Sequence, residues 1–285
     1  MNAMRQNLVQ CLSPGGFHDM AYVEWGDRDN DRVLVCVHGL TRCGRDFDIL
    51  AAAMADQYRV ICPDVVGRGR SGWLRDKAGY AIPQYCADMV TLLARVQAKT
   101  LHWLGTSMGG LIGMALASQE GTPVSRLVLN DVGPVLSGAA IARIGEFLGQ
   151  APRFASVDEA EAYVRAVSTP FGALTDAQWR HLTVHTLRTL ADGRFEMAYD
   201  PAIAAPFQRD LGDQRDIDLW PIYDAIACPT LVLRGEQSDL LSAATALAMA
   251  ERGPRARLVE VAGVGHAPML MDAAQIEAVR SFLLG

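Results

Sequence analysis

Five residues, Gly105-Thr106-Ser107-Met108-Gly109, follow the apolar stretch Leu101-His102-Trp103-Leu104 and precede the run Leu111-Ile112-Gly113-Met114-Ala115-Leu116-Ala117. An apolar strand, a G-x-S-x-G turn and a helix in that order place a serine on a sharp turn with its hydroxyl exposed. The residues two before and two after Ser107 sit where a Cβ would meet strand or helix backbone, which accounts for both glycines. A serine hydroxyl attacks a carbonyl only when a base takes its proton. His266, in Gly263-Val264-Gly265-His266-Ala267-Pro268, follows a strand and precedes a C-terminal helix, so its ring can reach the upper edge of a sheet. The other histidines fit less well. His102 lies inside a strand, His18 starts an early one, and His181 and His185 stand four apart on one face of a predicted helix with no third metal ligand in view.

The elements that must hold these groups are short apolar strands alternating with helical patterns. Val33–Val37 ends in His38-Gly39-Leu40, Arg59–Cys62 ends in Pro63-Asp64-Val65-Val66-Gly67-Arg68-Gly69-Arg70-Ser71, and Thr230–Arg234 ends in Gly235-Glu236-Gln237-Ser238-Asp239. Further strands are predicted at 8–12, 17–25, 100–104, 126–130 and 257–261. Helices are predicted at 47–55, 83–96, 107–118, 243–251 and 273–284. Ser13-Pro14-Gly15-Gly16 reads as a hairpin turn between the first two strands. Alternating βα units give a mostly parallel sheet with helices on both faces, and ligands bind beyond its carboxyl edge. Every motif named above falls at that edge.

Serine, then acid, then histidine is the chain order of the α/β-hydrolase fold. The H-G strand end, the D-x-x-G-x-G-x-S turn, the G-x-S-x-G elbow, the R-G-x-x-S-D loop and the G-x-G-H loop stand in the expected sequence. By these motifs the chain resembles the α/β-hydrolase superfamily over nearly its whole length. The resemblance implies a triad of Ser107, His266 and Asp239, with Asp239 orienting the imidazole. Asp131, just after the strand at 126–130, is the rival acid, at a position some family members use. The backbone N–H groups of Leu40 and Met108 would form the oxyanion hole, and His38 would brace that loop. Asp64 would shape its own turn through backbone bonds.

The resemblance also divides the chain into a core at 1–133 and 226–285 and an inserted helical lid at 134–225. That insert has helical patterns at 139–148, 157–167 and 176–188, and it is rich in aromatics, among them Phe147, Trp179, Phe207 and Trp220. Some of these would make the wall of an apolar pocket. Trp73, Trp179 and Trp220 are candidate wall residues, and Arg42 or Arg45 a candidate clamp for a substrate carboxylate.

Bulk composition excludes several classes. The 285 residues carry a formal net charge of −6, 50% are hydrophobic and 20% charged, which gives no footing for nucleic acid or an anionic membrane. One dense basic patch, Arg68, Arg70, Arg75 and Lys77, reads as a solvated loop. No signal peptide and no membrane span are expected. The six cysteines form no C-x-x-C pair and read as buried thiols of a cytoplasmic protein. No metal site and no cofactor are expected. The implied activity is carboxylic ester cleavage through an acyl-enzyme, on a small-molecule ester or lactone. A lactone or carbon–carbon bond hydrolase with the same triad is the alternative within enzymes, and a slow small-molecule receptor the alternative of another class. Aspartate-nucleophile dehalogenases and epoxide hydrolases are disfavoured by Ser107. Oligomeric state is not legible.

Overall fold

Strand residues 33–37 are apolar without interruption because both faces of that strand are covered. In the computed structural model, which describes residues 4–205 and 215–285 apart from the side chains of residues 146 and 147, Val33, Val35 and Val37 pack into one buried cluster and Leu34 and Cys36 into another. The first half of the chain runs β1 (Arg5–Ser13), β2 (Gly16–Trp25), β3 (Arg32–Val37), α1 (Asp48–Met54), β4 (Arg59–Pro63), α2 (Ile82–Val96), β5 (Thr100–Thr106), α3 (Met108–Ala117) and β6 (Val124–Asn130). After an insertion, the core resumes at Thr230.

The insertion consists of β7 (Val135–Leu136), α4 (Gly138–Phe147), β8 (Arg153–Phe154), α5 (Val157–Val167), α6 (Asp176–His185), β9 (Leu187–Thr189), β10 (Phe195–Met197), β11 (Ile217–Asp218) and α7 (Trp220–Asp224). The core then closes with β12 (Thr230–Gly235), α8 (Ala243–Glu251), β13 (Arg257–Val261) and α9 (Ala273–Leu284). The eight-stranded sheet has the order β1-β2-β4-β3-β5-β6-β12-β13. The β1–β2 hairpin joins β4 antiparallel, and every pairing from β4 to β13 is parallel. Ser13 pairs with Gly16 across the expected turn.

Helices α2 and α3 cover one face of the sheet, through Met89, Leu92, Ile112 and Met114. Helices α1 and α9 cover the other, through Leu50, Met54, Val279 and Leu283. Such burial of aliphatic side chains is the main stabilising contribution, at about 1.5–3 kcal/mol each. Pro83 sits in the first turn of α2, where a missing N–H is harmless.

Within the insertion, the helix expected over 176–188 ends at His185. Leu187–Thr189 instead pairs with β10, which also pairs with β8. Local helical periodicity there yields to a hairpin with residues 195–197, which Arg153–Phe154 extends to three strands. At its root, β7 pairs with β11, bringing both ends of the segment together. Val164, Trp179 and Leu182 pack against Met269 and Met271 of the core. No helix among the described residues is long and apolar enough to cross a membrane.

Candidate active site

Ser107 occupies the turn between β5 and α3 at φ 52° and ψ −115°, a left-handed conformation that non-glycine residues rarely adopt. The flanking glycines are sterically required. A Cβ on Gly105 would lie 2.1 Å from the Gly109 carbonyl oxygen, and one on Gly109 would lie 2.0 Å from the Val37 carbonyl oxygen. The turn is tied down further by the Trp103 indole N–H, which donates to the Gly109 carbonyl at 3.0 Å, and by the Ser107 N–H, which donates to the Asn130 carbonyl at 3.0 Å.

His266 lies on the loop after β13. Its Nε2 is 3.0 Å from Ser107 Oγ and its Nδ1 is 2.7 Å from an oxygen of Asp131. This corrects the expected partner. Asp239 does not touch His266. Its carboxylate, 48% exposed, pairs with Arg143 of α4 at the edge of the cavity. Asp131 is fully buried. It follows β6 in the left-handed region, at φ 55°, and its own N–H donates to the Leu233 carbonyl at 2.8 Å. Its two oxygens accept from the Gly235 N–H at 2.8 Å and from the Ser238 hydroxyl at 2.6 Å. The loop expected to carry the acid therefore supplies the donors that hold a neighbouring strand's acid in place.

Leu40 and Met108 line the same cavity as Ser107. Met108 is the first residue of α3, where backbone N–H groups have no helical acceptor. Neither its N–H nor that of Leu40 donates to an acceptor among the described residues. His38 fixes the Leu40 loop: its Nδ1 meets the Gly39 carbonyl at 2.6 Å, and its Nε2 accepts from the Val65 N–H at 2.9 Å. Burial, followed by the nearby charges of Arg68 and Arg42, pushes the His38 pKa down to about 3, so it stays neutral and acts as a brace. Asp64 behaves as its turn demands, accepting from the N–H groups of Gly44 and Arg70.

These groups open onto a cavity of about 1170 Å³ roofed by the insertion. Tyr163, Phe171, Met197, Tyr199 and Ile141 contribute its apolar wall. The three tryptophans do not. Trp73 lies beneath the Arg188 guanidinium at 4.3 Å, Trp179 stacks on the outer side of Phe171 at 6.3 Å, and Trp220 packs on Tyr223 and Arg252. Trp179 lies within the insertion, Trp220 at its root, and Trp73 on the core loop after β4 that Arg188 of the insertion covers. The side chain of Phe147 and the whole of Phe207 lie outside the described residues. Arg42 does line the cavity, but its fork is given to Asp46 at 2.7 and 2.8 Å, and Arg45 is given to Asp48.

Two further departures concern polar side chains. Arg68 is not a solvated loop residue. It is fully buried beneath the site. The His181 and His185 pair does have a third potential metal ligand nearby, Asp48 of the core. His181 Nε2 is 2.9 Å from the Arg45 carbonyl oxygen and Asp48 is bound by Arg45, so this cluster fastens α6 to the core. Cys11, His18 and Asp88 form a second such group under the β1–β2 hairpin.

A serine on a strand–turn–helix, a histidine after the last strand bonded to it, and a buried carboxylate from a strand end between them are the arrangement of one class of hydrolases. The family model described as "alpha/beta hydrolase fold" matches residues 32–273, and the chain belongs to that family. It is 50% identical to the 3-hydroxybutyrate-oligomer hydrolase of Cupriavidus necator over 99% of this chain and 98% of that one. It is 28% identical to a pimeloyl-[acyl-carrier protein] methyl ester esterase of Xanthomonas campestris over 88% and 94% of the two chains. Among solved structures, an alpha/beta hydrolase from Novosphingobium aromaticivorans superposes with a TM-score of 0.88 at 35% identity, covering 99% of each chain.

Proposed function

We propose that this hydrolase cleaves the ester bonds of short 3-hydroxybutyrate oligomers, with Ser107, His266 and Asp131 as its catalytic triad. One geometric observation supports the triad. A single imidazole bridges the Ser107 hydroxyl and a fully buried carboxylate at the floor of a large apolar cavity. The substrate class rests on the half-identical relative that spans the whole chain.

Ser107 Oγ attacks the ester carbonyl and its proton passes to His266 Nε2. The carbonyl oxygen becomes an oxyanion that accepts from the N–H groups of Leu40 and Met108. The intermediate collapses, the ester C–O bond breaks, and the leaving hydroxyl takes the proton from His266. Water then repeats the cycle: its proton goes to His266, its oxygen attacks the acyl carbon, and the acid product leaves as Ser107 recovers its proton. Asp131 holds the imidazole tautomer and stabilises the imidazolium. No step needs a cofactor.

A cavity of about 1170 Å³ exceeds the ~300–1,000 Å³ common for a drug-sized ligand, and so leaves room for more than one hydroxybutyrate unit. Its apolar wall suits the hydrocarbon backbone between the ester groups of such an oligomer. The inserted helices act as the lid over it. All six cysteines are free, as suits a protein of the reducing cytoplasm.

The test is hydrolysis of the 3-hydroxybutyrate dimer and trimer, followed by the acid released, with Ser107→Ala alongside. Turnover by the wild type that is lost in the variant is the expected result. Equal turnover by both would overturn the mechanism. No turnover of oligomers beside rapid cleavage of simple esters would overturn the substrate.

A further inference from the structure

The loop after β4 carries a charge in an unusual place. Arg68 is fully buried, yet no carboxylate pairs with it among the described residues. A guanidinium does not give up its proton in a folded protein, and desolvating a charge without a counter-ion is costly. Its fork is instead filled by neutral acceptors. Nε donates to the Leu40 carbonyl at 2.8 Å, and Nη1 donates to the Val66 carbonyl at 2.8 Å and to the Tyr85 hydroxyl at 2.9 Å. Nη2 lies 3.6 Å from Met108 Sδ. The rings of Tyr85 and Tyr80 lie 5.0 and 5.7 Å from its central carbon.

Two of these contacts coincide with the reaction. Leu40 and Met108 are the two residues whose N–H groups would bind the oxyanion, they lie after different strands, and the Arg68 side chain touches both. We infer that Arg68 is a positioning residue for ester cleavage: its buried, uncompensated guanidinium holds the two halves of the oxyanion hole together and adds positive potential beneath the oxyanion. This inference rests on the oxyanion-hole reading above.

The physical logic is differential. A cation among neutral acceptors is poorly served in the resting protein, and a new negative charge close by improves its situation only while the tetrahedral intermediate exists. Interactions that strengthen between ground state and transition state raise kcat rather than lower KM. Gly67 and Gly69 let the turn present Arg68 inward. Both have positive φ, and a Cβ on Gly69 would fall 2.3 Å from the Asp64 carboxylate.

The experiment compares Arg68→Met and Arg68→Lys with the wild type. Three quantities are read: melting temperature, kcat and KM on the ester, and affinity for a trifluoromethyl ketone. That ketone adds Ser107 Oγ to its carbonyl, passes the serine proton to His266 and leaves a bound oxyanion, so it reports on the hole directly. A single oxyanion donor is worth ~100- to 1000-fold in turnover, and an indirect brace should act below that, so kcat for Arg68→Met should fall about 30-fold with KM within about twofold. Trifluoromethyl ketone affinity should fall by a similar factor. Arg68→Met removes a buried uncompensated charge but leaves the Leu40 and Val66 carbonyls and the Tyr85 hydroxyl without its donors, at about 1–3 kcal/mol each, so it should remain folded with a lowered melting temperature. Arg68→Lys, which keeps the charge but not the fork, should recover part of kcat.

Failure of Arg68→Met to fold would overturn the inference, because it would make Arg68 a structural residue. So would unchanged ketone affinity, or a lysine variant no faster than the methionine one. Ser107→Ala measured in the same series keeps the two claims apart. An inactive Ser107→Ala beside a fully active Arg68→Met would refute the role of Arg68 and leave the ester hydrolase intact.

Discussion

Ser238 donates its hydroxyl, at 2.6 Å, to the same oxygen of Asp131 that meets His266 Nδ1 at 2.7 Å. A buried carboxylate held by two further donors points in one direction, and the imidazole inherits that direction. Removing the hydroxyl takes away one hydrogen bond to a charged group, worth about 1.5–3 kcal/mol, part of which the Gly235 N–H offsets. Ser238→Ala should therefore lower kcat roughly 3- to 10-fold with little change in KM. Steady-state kinetics on any ester the enzyme accepts measures this, and a change confined to KM would argue against it.

The elbow has no room for a methyl group. With a Cβ on Gly109 only 2.0 Å from the Val37 carbonyl oxygen, the obstruction is backbone, which cannot rotate aside. Gly109→Ala should lose soluble folded protein, or fold with activity reduced more than about 100-fold, since overpacking alone typically costs 1–3 kcal/mol and here also displaces Ser107. Melting temperature and active-site titration together distinguish the two results. A fully active, normally melting variant would contradict the close packing.

Much of this was legible beforehand because it is written in local spacing. Gly105, Ser107 and Gly109 mark the elbow by themselves, and His266 is singled out by its loop and chain order. The acid was not. Asp131 and Asp239 both follow a strand that ends at the catalytic edge, and choosing between them requires knowing which carboxylate points inward. That depends on the left-handed turn at Asp131 and on bonds from Gly235 and Ser238, residues about a hundred positions away. Arg68 departs from its expected solvated setting for a related reason. A run of arginines beside glycines has the composition of a solvated loop, and only the three-dimensional turn carries one of them inward. The tryptophans show the limit of composition. An aromatic-rich insertion signals a packed roof, but which rings face down is set by helix rotation, and here Tyr163 and Phe171 face the cavity.

Acid should destabilise the fold through its histidines. Burial is the first cause that holds His102 and His185 down to about 4 and His38 down to about 3. All three bind a proton in the unfolded chain near pH 6.5 but not in the fold until much lower pH. Between those limits the unfolded state holds more protons, so stability rises with pH and is lost as pH falls from about 6.5 towards 4. Asp64 and Asp88, raised first by burial, oppose this at the acid end. Melting temperature should fall steadily from pH 7 to pH 4.5, and His102→Gln, which has nothing to titrate there, should fall less steeply. Parallel curves for the two proteins would contradict the assignment.

Phe171 forms part of the cavity wall and is braced from behind by Trp179, parallel to within 9°. Its ring contributes contact area rather than chemistry. Phe171→Ala should raise KM for the 3-hydroxybutyrate trimer about fivefold, equivalent to about 1 kcal/mol of lost apolar contact, and leave kcat within about twofold. Trp220→Phe, remote from the cavity, should change neither. Initial rates on dimer and trimer test both, and an effect from Trp220 in place of Phe171 would mean that the wall has been misplaced.

The most direct measurement is kcat for Asp131→Asn and Asp239→Asn side by side. If Asp131 is the acid, its amide cannot hold the correct imidazole tautomer, and kcat should fall about 10⁴-fold while the fold is kept. Asp239, paired with Arg143 and 48% exposed, should yield a variant within about twofold of the wild type, as surface ion pairs contribute little. A large loss in Asp239→Asn with activity preserved in Asp131→Asn would contradict the triad.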